Sequence, residues 1–291
     1  MLILISDAFD NSLPDTLTKF GEVTDDKSRI AEAEVVLIRS KTKVTKEYID
    51  SAQNLKLVIR GGVGLDNVDR EYASIRGIAV HNTPAASAIA VAECAFTLMI
   101  GITNHVGRAD SSMREGKWIK KELKRTELYR KTLGILGLGR IGTELAKRGA
   151  AFGMTVVAYD PFVEYSDYAE MKPEMKAVLN ISDYVSLHLP LVDSTTGIIN
   201  SETLQEFKDG SFLINTGRGK TIVEEDVADA LQSGKLSGFG NDVWYSDPPG
   251  SNPFADLPNV LMMPHLGAST KENLLRIGVI IENIINEYVN N

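Results

Sequence analysis

Short apolar runs alternate with helical patterns along almost the whole chain. Leu2–Ile5, Val35–Ile38, Leu57–Ile59 and Ile78–Val80 are apolar throughout, without polar alternation. Strands buried on both faces read this way. Between them, Asn67–Arg76 sets Val68, Tyr72 and Ile75 at helical spacing. Six more runs follow: Thr132–Leu136, Thr155–Tyr159, Tyr184–His188, Phe212–Asn215, Gly238–Val243 and Val260–Met263. This strand–helix–strand rhythm predicts α/β architecture with parallel sheets covered on both sides. A long apolar helix ends near Gly101, and the Lys/Arg-rich stretch Arg114–Arg130 separates two such series. Thr270–Asn291 reads as one final helix with Leu274, Ile277, Ile281, Ile284 and Tyr288 on one face. No strand follows it, so it is expected to pack back on the first domain.

Composition narrows the partners. A net charge of -8 over 291 residues argues against a nucleic-acid or anionic-membrane surface, which requires a basic face. The single cysteine, Cys94, lies among Ala92, Ala95, Phe96, Leu98 and Met99 and reads as a buried helix thiol. The opening LILISDAF reads as a strand and not as a signal peptide. The apolar run Ala85–Ile102 contains Glu93 and reads as a core helix. A cytoplasmic protein is the default expectation, and no metal is expected.

The run KTLGILGLGRIG ends a strand in Gly137-Leu138-Gly139-Arg140-Ile141-Gly142 and opens a helix. In such a loop Gly137 makes the turn and Gly139 lets a pyrophosphate approach. Gly142 lets helix and strand pack, and the helix N-terminus faces the phosphates. The next strand ends in Asp160, 18 residues after Gly142. A carboxylate there accepts from the adenine ribose hydroxyls and repels a 2′-phosphate, so NAD is expected over NADP. The predicted architecture is therefore two doubly wound parallel-sheet domains. An NAD-binding Rossmann domain, residues 98–267, is inserted in a flavodoxin-like substrate domain, residues 1–97 and 268–291.

Three charged side chains fall at the ends of later predicted strands: Arg218 in NTGRG, Asp247 after NDVWYS and His265 in MMPH. Interconverting a 2-hydroxy and a 2-oxo acid requires a proton carrier active near neutrality, which histidine supplies. It requires a cation for the carboxylate and carbonyl, which arginine supplies through two parallel hydrogen bonds. A carboxylate orients the imidazole and stabilises its charged form.

The motifs IRSKT, RGGVGLDNVD, HNTPAASAIAVAE, GKWIKKELKRTELYRKTLGILGLGRIG, VSLHLPL, NTGRG, NDVW and MMPHLGAST span nearly the whole chain. With them the sequence resembles the D-isomer-specific 2-hydroxyacid dehydrogenases, and within these the short D-3-phosphoglycerate dehydrogenases. The resemblance implies Arg218 as substrate anchor, His265 as acid/base and Asp247 as its partner. It implies cofactor contacts from Arg140, Ile141, Asp160, Leu189, Thr216, Gly217 and Asp242, and a substrate carboxylate held by the backbone at Val63-Gly64. Similar Arg-Ser segments bind the substrate phosphate, which points to Arg39, Ser40 and the adjacent Lys41. Relatives usually carry glutamate where this chain has Asp247, one methylene shorter.

The implied reaction is NAD-dependent oxidation of 3-phospho-D-glycerate to 3-phosphohydroxypyruvate, the first step of serine biosynthesis. The alternatives are reduction of glyoxylate, hydroxypyruvate or another 2-oxo acid, and a non-enzymatic NAD-sensing role of the corepressor type. The resemblance also implies a homodimer, joined near Ala88–Thr103 and Gly116–Arg130. Serine feedback through a C-terminal regulatory domain is not expected, because the sequence stops at Asn291.

Overall fold

The computed structural model describes residues 1–290. The chain forms two compact units, Met1–Ala88 together with the chain from Ala268 onward, and Ile89–Gly267.

The first unit contains β1 (Leu2–Ile5), α1 (Leu13–Leu17), β2 (Glu22–Thr24), β3 (Val35–Ile38), α2 (Lys46–Ser51), β4 (Leu57–Arg60), α3 (Arg70–Ile75) and β5 (Ala79–Asn82). The strands are all parallel, in the order β2-β1-β3-β4-β5. This is the flavodoxin-like order, whose direction switches between β1 and β3. Alternate residues of β3 serve opposite faces. Val36 and Ile38 join Ile49, Val58 and Ala73 on one side, and Val35 and Leu37 join Leu13, Leu17 and Ile59 on the other. An apolar run without alternation thus fills two cores at once.

The second unit contains α4 (Ala88–Thr103), α5 (Val106–Arg114), β6 (Thr132–Leu136), α6 (Arg140–Ala151), β7 (Thr155–Tyr159), β8 (Glu170–Met171), α7 (Met175–Leu179), β9 (Tyr184–Leu187), α8 (Ser201–Gln205), β10 (Ser211–Asn215), α9 (Glu224–Gln232), β11 (Leu236–Asn241) and β12 (Val260–Met262). Its seven parallel strands run β12-β11-β10-β9-β6-β7-β8. Read from the other edge this is the Rossmann order with one added strand, and the direction switches between β6 and β9.

The sequence placed the first crossing after residue 97, and the compact units divide at Ala88. The physical reason is α4 itself. Its Ala92, Ala95, Phe96, Leu98, Met99 and Ile102 pack with Leu133, Ile135 and Ile214 of the second sheet. No single helix among the described residues is long and apolar enough to cross a membrane. Cys94 is half-buried with Sγ 3.7 Å from Met263 Sδ, and burial, with Asp242 adding to it, pushes its thiol up to about 12. It stays protonated and unreactive near neutrality.

The final helix is α10 (Lys271–Asn290). Its Ile277, Ile281 and Ile285 are fully buried against Ile3, Leu13, Leu17 and Leu57 of the first unit. Asn291, which the sequence included in this helix, lies outside the described residues.

Two short edge strands, β2 and β8, escaped the sequence reading because three and two residues carry no legible pattern. The helix expected over Asn67–Arg76 begins only at Arg70, because Asp69 caps it by accepting the Tyr72 N–H at 2.9 Å. That leaves Asn67 in the preceding loop. The predicted strands ending at His188 and Val243 stop at Leu187 and Asn241, which puts His188 and Asp242 in loops at the strand ends.

Candidate active site

The switch point of the second sheet carries the glycine loop. Gly137 has φ 91°, and a Cβ there would lie 2.7 Å from the His188 carbonyl oxygen. A Cβ on Gly142 would lie 2.3 Å from the Gly137 carbonyl oxygen, so α6 packs directly on the turn. Nothing lies within 4 Å of the corresponding position on Gly139. That glycine caps α6 with no side-chain bond, and the first turn holds no acid. The free N–H groups of the helix start, Arg140 and Ile141 among its first residues, therefore remain available to an anion.

Asp160 closes the loop. Its carboxylate accepts the Leu138 N–H at 2.8 Å and the Phe162 N–H at 2.9 Å. Each oxygen keeps a further lone pair. On the neighbouring strand ends, Gly217 lies against the Leu187 and Leu189 carbonyls, and Thr216 Oγ1 is buried without a hydrogen-bond partner. Uncapped helix amides, an open glycine, a carboxylate and an orphaned buried hydroxyl along one sheet end form a donor set that fits a dinucleotide.

His188 sits at the same edge. Its Nε2 pairs with Ser186 Oγ at 2.9 Å, and Nδ1 is buried without a partner. Burial pushes the imidazole down to about 4 from its ordinary 6.5. The folded value is the lower, so the unfolded chain holds the extra proton between the two. Stability from this residue is complete above about pH 6.5 and is lost as pH falls to about 4, on the order of 3 kcal/mol in all. Urea unfolding of wild type and His188→Gln at pH 7 and pH 5 measures it. The variant is expected to lose less stability on acidification, and an equal loss in both would refute this origin.

The two side chains expected to form an acid/base pair do meet. His265 Nδ1 hydrogen-bonds Asp247 Oδ2, so the aspartate reaches the ring despite its shorter side chain. Both side chains remain partly exposed, 36% and 45%. The His265 backbone is left-handed at φ 56°, a costly state for a non-glycine residue. Asp242 holds it there, with its two oxygens accepting the Leu266 and Gly267 N–H groups at 2.7 and 2.8 Å. Burial raises the Asp242 carboxyl, and those two amides counter the rise in part.

Arg218 follows β10 in a strapped loop. Asn215 Oδ1 accepts the Gly217 N–H at 3.0 Å, and Asn215 Nδ2 donates to the Arg218 carbonyl at 3.0 Å. Arg218 Nη1 donates to the Gly217 carbonyl at 2.8 Å. A Cβ on Gly219 would overlap the Trp244 backbone at 2.1 Å, and Trp244 Nε1 donates to the Met263 carbonyl at 3.0 Å. Trp244 thereby joins the Arg218 loop to the strand that leads into His265.

In the first unit, the candidate substrate segments lie at the strand ends beside its own switch point. Arg39 is half-buried, with Nε buried and unpartnered and Nη1 3.4 Å from the Ala8 carbonyl. Burial pulls its guanidinium down, and Asp7 opposes this. Ser40 is exposed, and Val63 and Gly64 are half-buried. The Val63 carbonyl accepts from Asn82 Nδ2 at 2.5 Å, and the Gly62 N–H donates to Thr83 Oγ1 at 2.8 Å.

Residues 96–267, more than half of the chain, match the family model of the D-isomer specific 2-hydroxyacid dehydrogenase, NAD binding domain. The chain belongs to the D-isomer specific 2-hydroxyacid dehydrogenase family. As in that family, its second unit is an NAD-binding domain. The chain is 45% identical over 262 residues to a hydroxypyruvate reductase of Thermotoga maritima, covering 89% of this chain and 86% of the relative. It is 38% identical over 291 residues to D-3-phosphoglycerate dehydrogenase of Methanocaldococcus jannaschii, covering 96% of this chain but 56% of the relative. The chain thus spans about half the length of that second relative. The fold matches the crystal structure of D-lactate dehydrogenase from Aquifex aeolicus complexed with NAD and lactic acid. That match has a TM-score of 0.88 at 28% identity and covers 100% and 96% of the two chains.

Within this 2-hydroxyacid dehydrogenase fold, Trp244, Asp7 and Asn67 escaped the sequence reading as site residues. The tryptophan stood in a quoted motif, but nothing local showed that its indole reaches Met263.

Proposed function

We propose that this dehydrogenase oxidises 3-phospho-D-glycerate with NAD, and the observation that carries the reading is Arg39. It is a half-buried guanidinium with an orphaned Nε at the end of β3, in a loop whose Arg39 backbone is bonded on both sides. A dianionic phosphate supplies the missing acceptors, and arginine is suited to bind it with two prongs.

Arg140, Ile141, Asp160, Leu189, Thr216, Gly217 and the glycine loop would hold NAD, with Asp160 favouring it over NADP. Bound NAD supplies the hydride acceptor. Arg218 neutralises the substrate carboxylate and polarises the C2 oxygen. His265 presents Nε2 to the C2 hydroxyl and takes its proton, and Asp247 at Nδ1 stabilises the resulting imidazolium. Asp242 acts by holding the His265 turn.

A second reading is favoured by the 45% identity to the Thermotoga maritima hydroxypyruvate reductase. The two keto acids differ only by the phosphate, so both readings use the same catalytic side chains and part at Arg39. Steady-state rates decide between them: 3-phospho-D-glycerate against D-glycerate with NAD, and the two keto acids with NADH. The proposal expects kcat/KM to favour the phosphorylated acid by roughly tenfold or more, the worth of one charge-assisted contact. A preference for the unphosphorylated acid gives the assignment to hydroxypyruvate.

A further inference from the structure

The loop that carries Arg39 is gripped on both sides by side chains outside it. Asp7, after β1, accepts the Arg39 N–H at 2.6 Å, the Thr42 N–H at 3.1 Å and the Thr42 hydroxyl at 2.7 Å. Burial raises the Asp7 carboxyl, but these bonds outweigh it and hold the group below its ordinary value, so it is ionised. From the other side, Asn67 Nδ2 donates to the Arg39 carbonyl at 2.7 Å and to the Thr42 carbonyl at 2.6 Å. Both amide hydrogens are thereby used. The Asn67 carbonyl accepts the Val44 N–H at 2.8 Å, and Val44 pairs with Val68 in an isolated bridge. Asn67 also lies three residues beyond Gly64 in the chain. The Arg39–Thr42 loop is therefore keyed through one amide to the segment that continues the Val63-Gly64 loop.

We propose that Asn67 is the positioning residue that holds the Arg39 loop in register with the Val63-Gly64 loop and so sets discrimination for acids with an anionic far end. Asp7 is its counterpart on the amide side. The inference rests on the reading of Arg39 given above. A contact that tells one acid from another needs its supporting groups held within about half an ångström, and Asn67 and Asp7 supply that restraint.

Two isosteric changes separate the roles. Asn67→Asp turns a double donor into an oxygen facing two carbonyl oxygens, so the loop must move. Asp7→Asn keeps an oxygen for the two N–H groups, and its new NH₂ donates to the Thr42 hydroxyl, so the loop stays. Asn67→Asp is expected to raise KM for the phosphorylated acid about 10- to 100-fold, the size of two lost hydrogen bonds. Its kcat should change less than about threefold by the same scale, and KM for NAD, held by the other unit, should not move. Asp7→Asn should raise the same KM less than about threefold. Asn67→Ser removes the donors without adding repulsion. It should show the same split at a smaller size, and it serves if the aspartate variant does not fold.

Loss of folded protein alone would lower kcat per total enzyme and leave both KM values in place. Unchanged KM for every acid in a folded Asn67 variant overturns the inference. A wild type with no preference for the phosphorylated acid overturns the Arg39 reading instead. With that preference present, an equal rise in KM for the phosphorylated and unphosphorylated acids in Asn67→Asp also overturns the discrimination role.

Discussion

His265→Asn is expected to lower kcat by roughly 10²- to 10⁴-fold, the usual worth of a positioned acid/base group. Asparagine is the appropriate replacement because it tolerates the left-handed backbone that His265 occupies better than most residues do. The variant should therefore keep the turn that Asp242 clamps. NAD affinity, measured by nucleotide fluorescence titration, should be unchanged. The partly exposed His265–Asp247 pair adds only about 0–1 kcal/mol to stability, so unfolding temperatures should hardly move. Asp247→Asn removes the charge that stabilises the imidazolium and should fall between wild type and His265→Asn. Asp247→Glu keeps the carboxylate on a side chain one methylene longer and should remain active. Full turnover in His265→Asn would place the proton transfer elsewhere.

Arg218→Ala is expected to cost about 10²- to 10³-fold in kcat/KM, the scale seen when a donor to a developing oxyanion is removed. The loss should fall on both kcat and KM, because in the proposed role one guanidinium serves the carboxylate in the ground state and the C2 oxygen in the transition state. Arg218→Lys keeps the charge but not the planar fork, and should recover only part of the loss. Asn215 and Thr221 hold the loop through the Arg218 carbonyl, which both variants keep, although both lose the Nη1 bond to the Gly217 carbonyl. Steady-state kinetics with saturating NAD measures both variants. A rise in KM alone would reduce Arg218 to a binding anchor.

Much of this was legible before any coordinates. Both faces of each sheet are dry, so strands such as Val35–Ile38 appear as unbroken apolar runs, and the glycine loop with Asp160 keeps a fixed spacing set by the turn. Arg218, Asp247 and His265 were singled out because ligands gather at strand ends, and the structure places them in the loops after β10, β11 and β12 and joins the last two. What escaped was contact between segments far apart in the chain. Asn67 looked like the start of a helix until Asp69 proved to be the cap, and its partners are 25 and 28 residues away. Asp7 reaches residues 32 and 35 positions on. Trp244 reaches Met263, 19 residues on, through an indole nitrogen that no periodicity marks. The crossing set after residue 97 lies beside the start of the matched family domain at residue 96, whereas the compact units divide at Ala88, because α4 is apolar along its length and composition does not say which sheet it covers.

The dependence of the first sheet on α10 also sets an order of events during synthesis. One face of that sheet is closed by Ile277, Ile281 and Ile285, which leave the ribosome only after all of Ile89–Gly267. The inserted unit is contiguous and can complete its core as it emerges. Ile3, Leu13, Leu17 and Leu57, made first, are covered last. The nascent chain therefore carries an open apolar sheet face through most of its elongation, and that face is where a chaperone would bind.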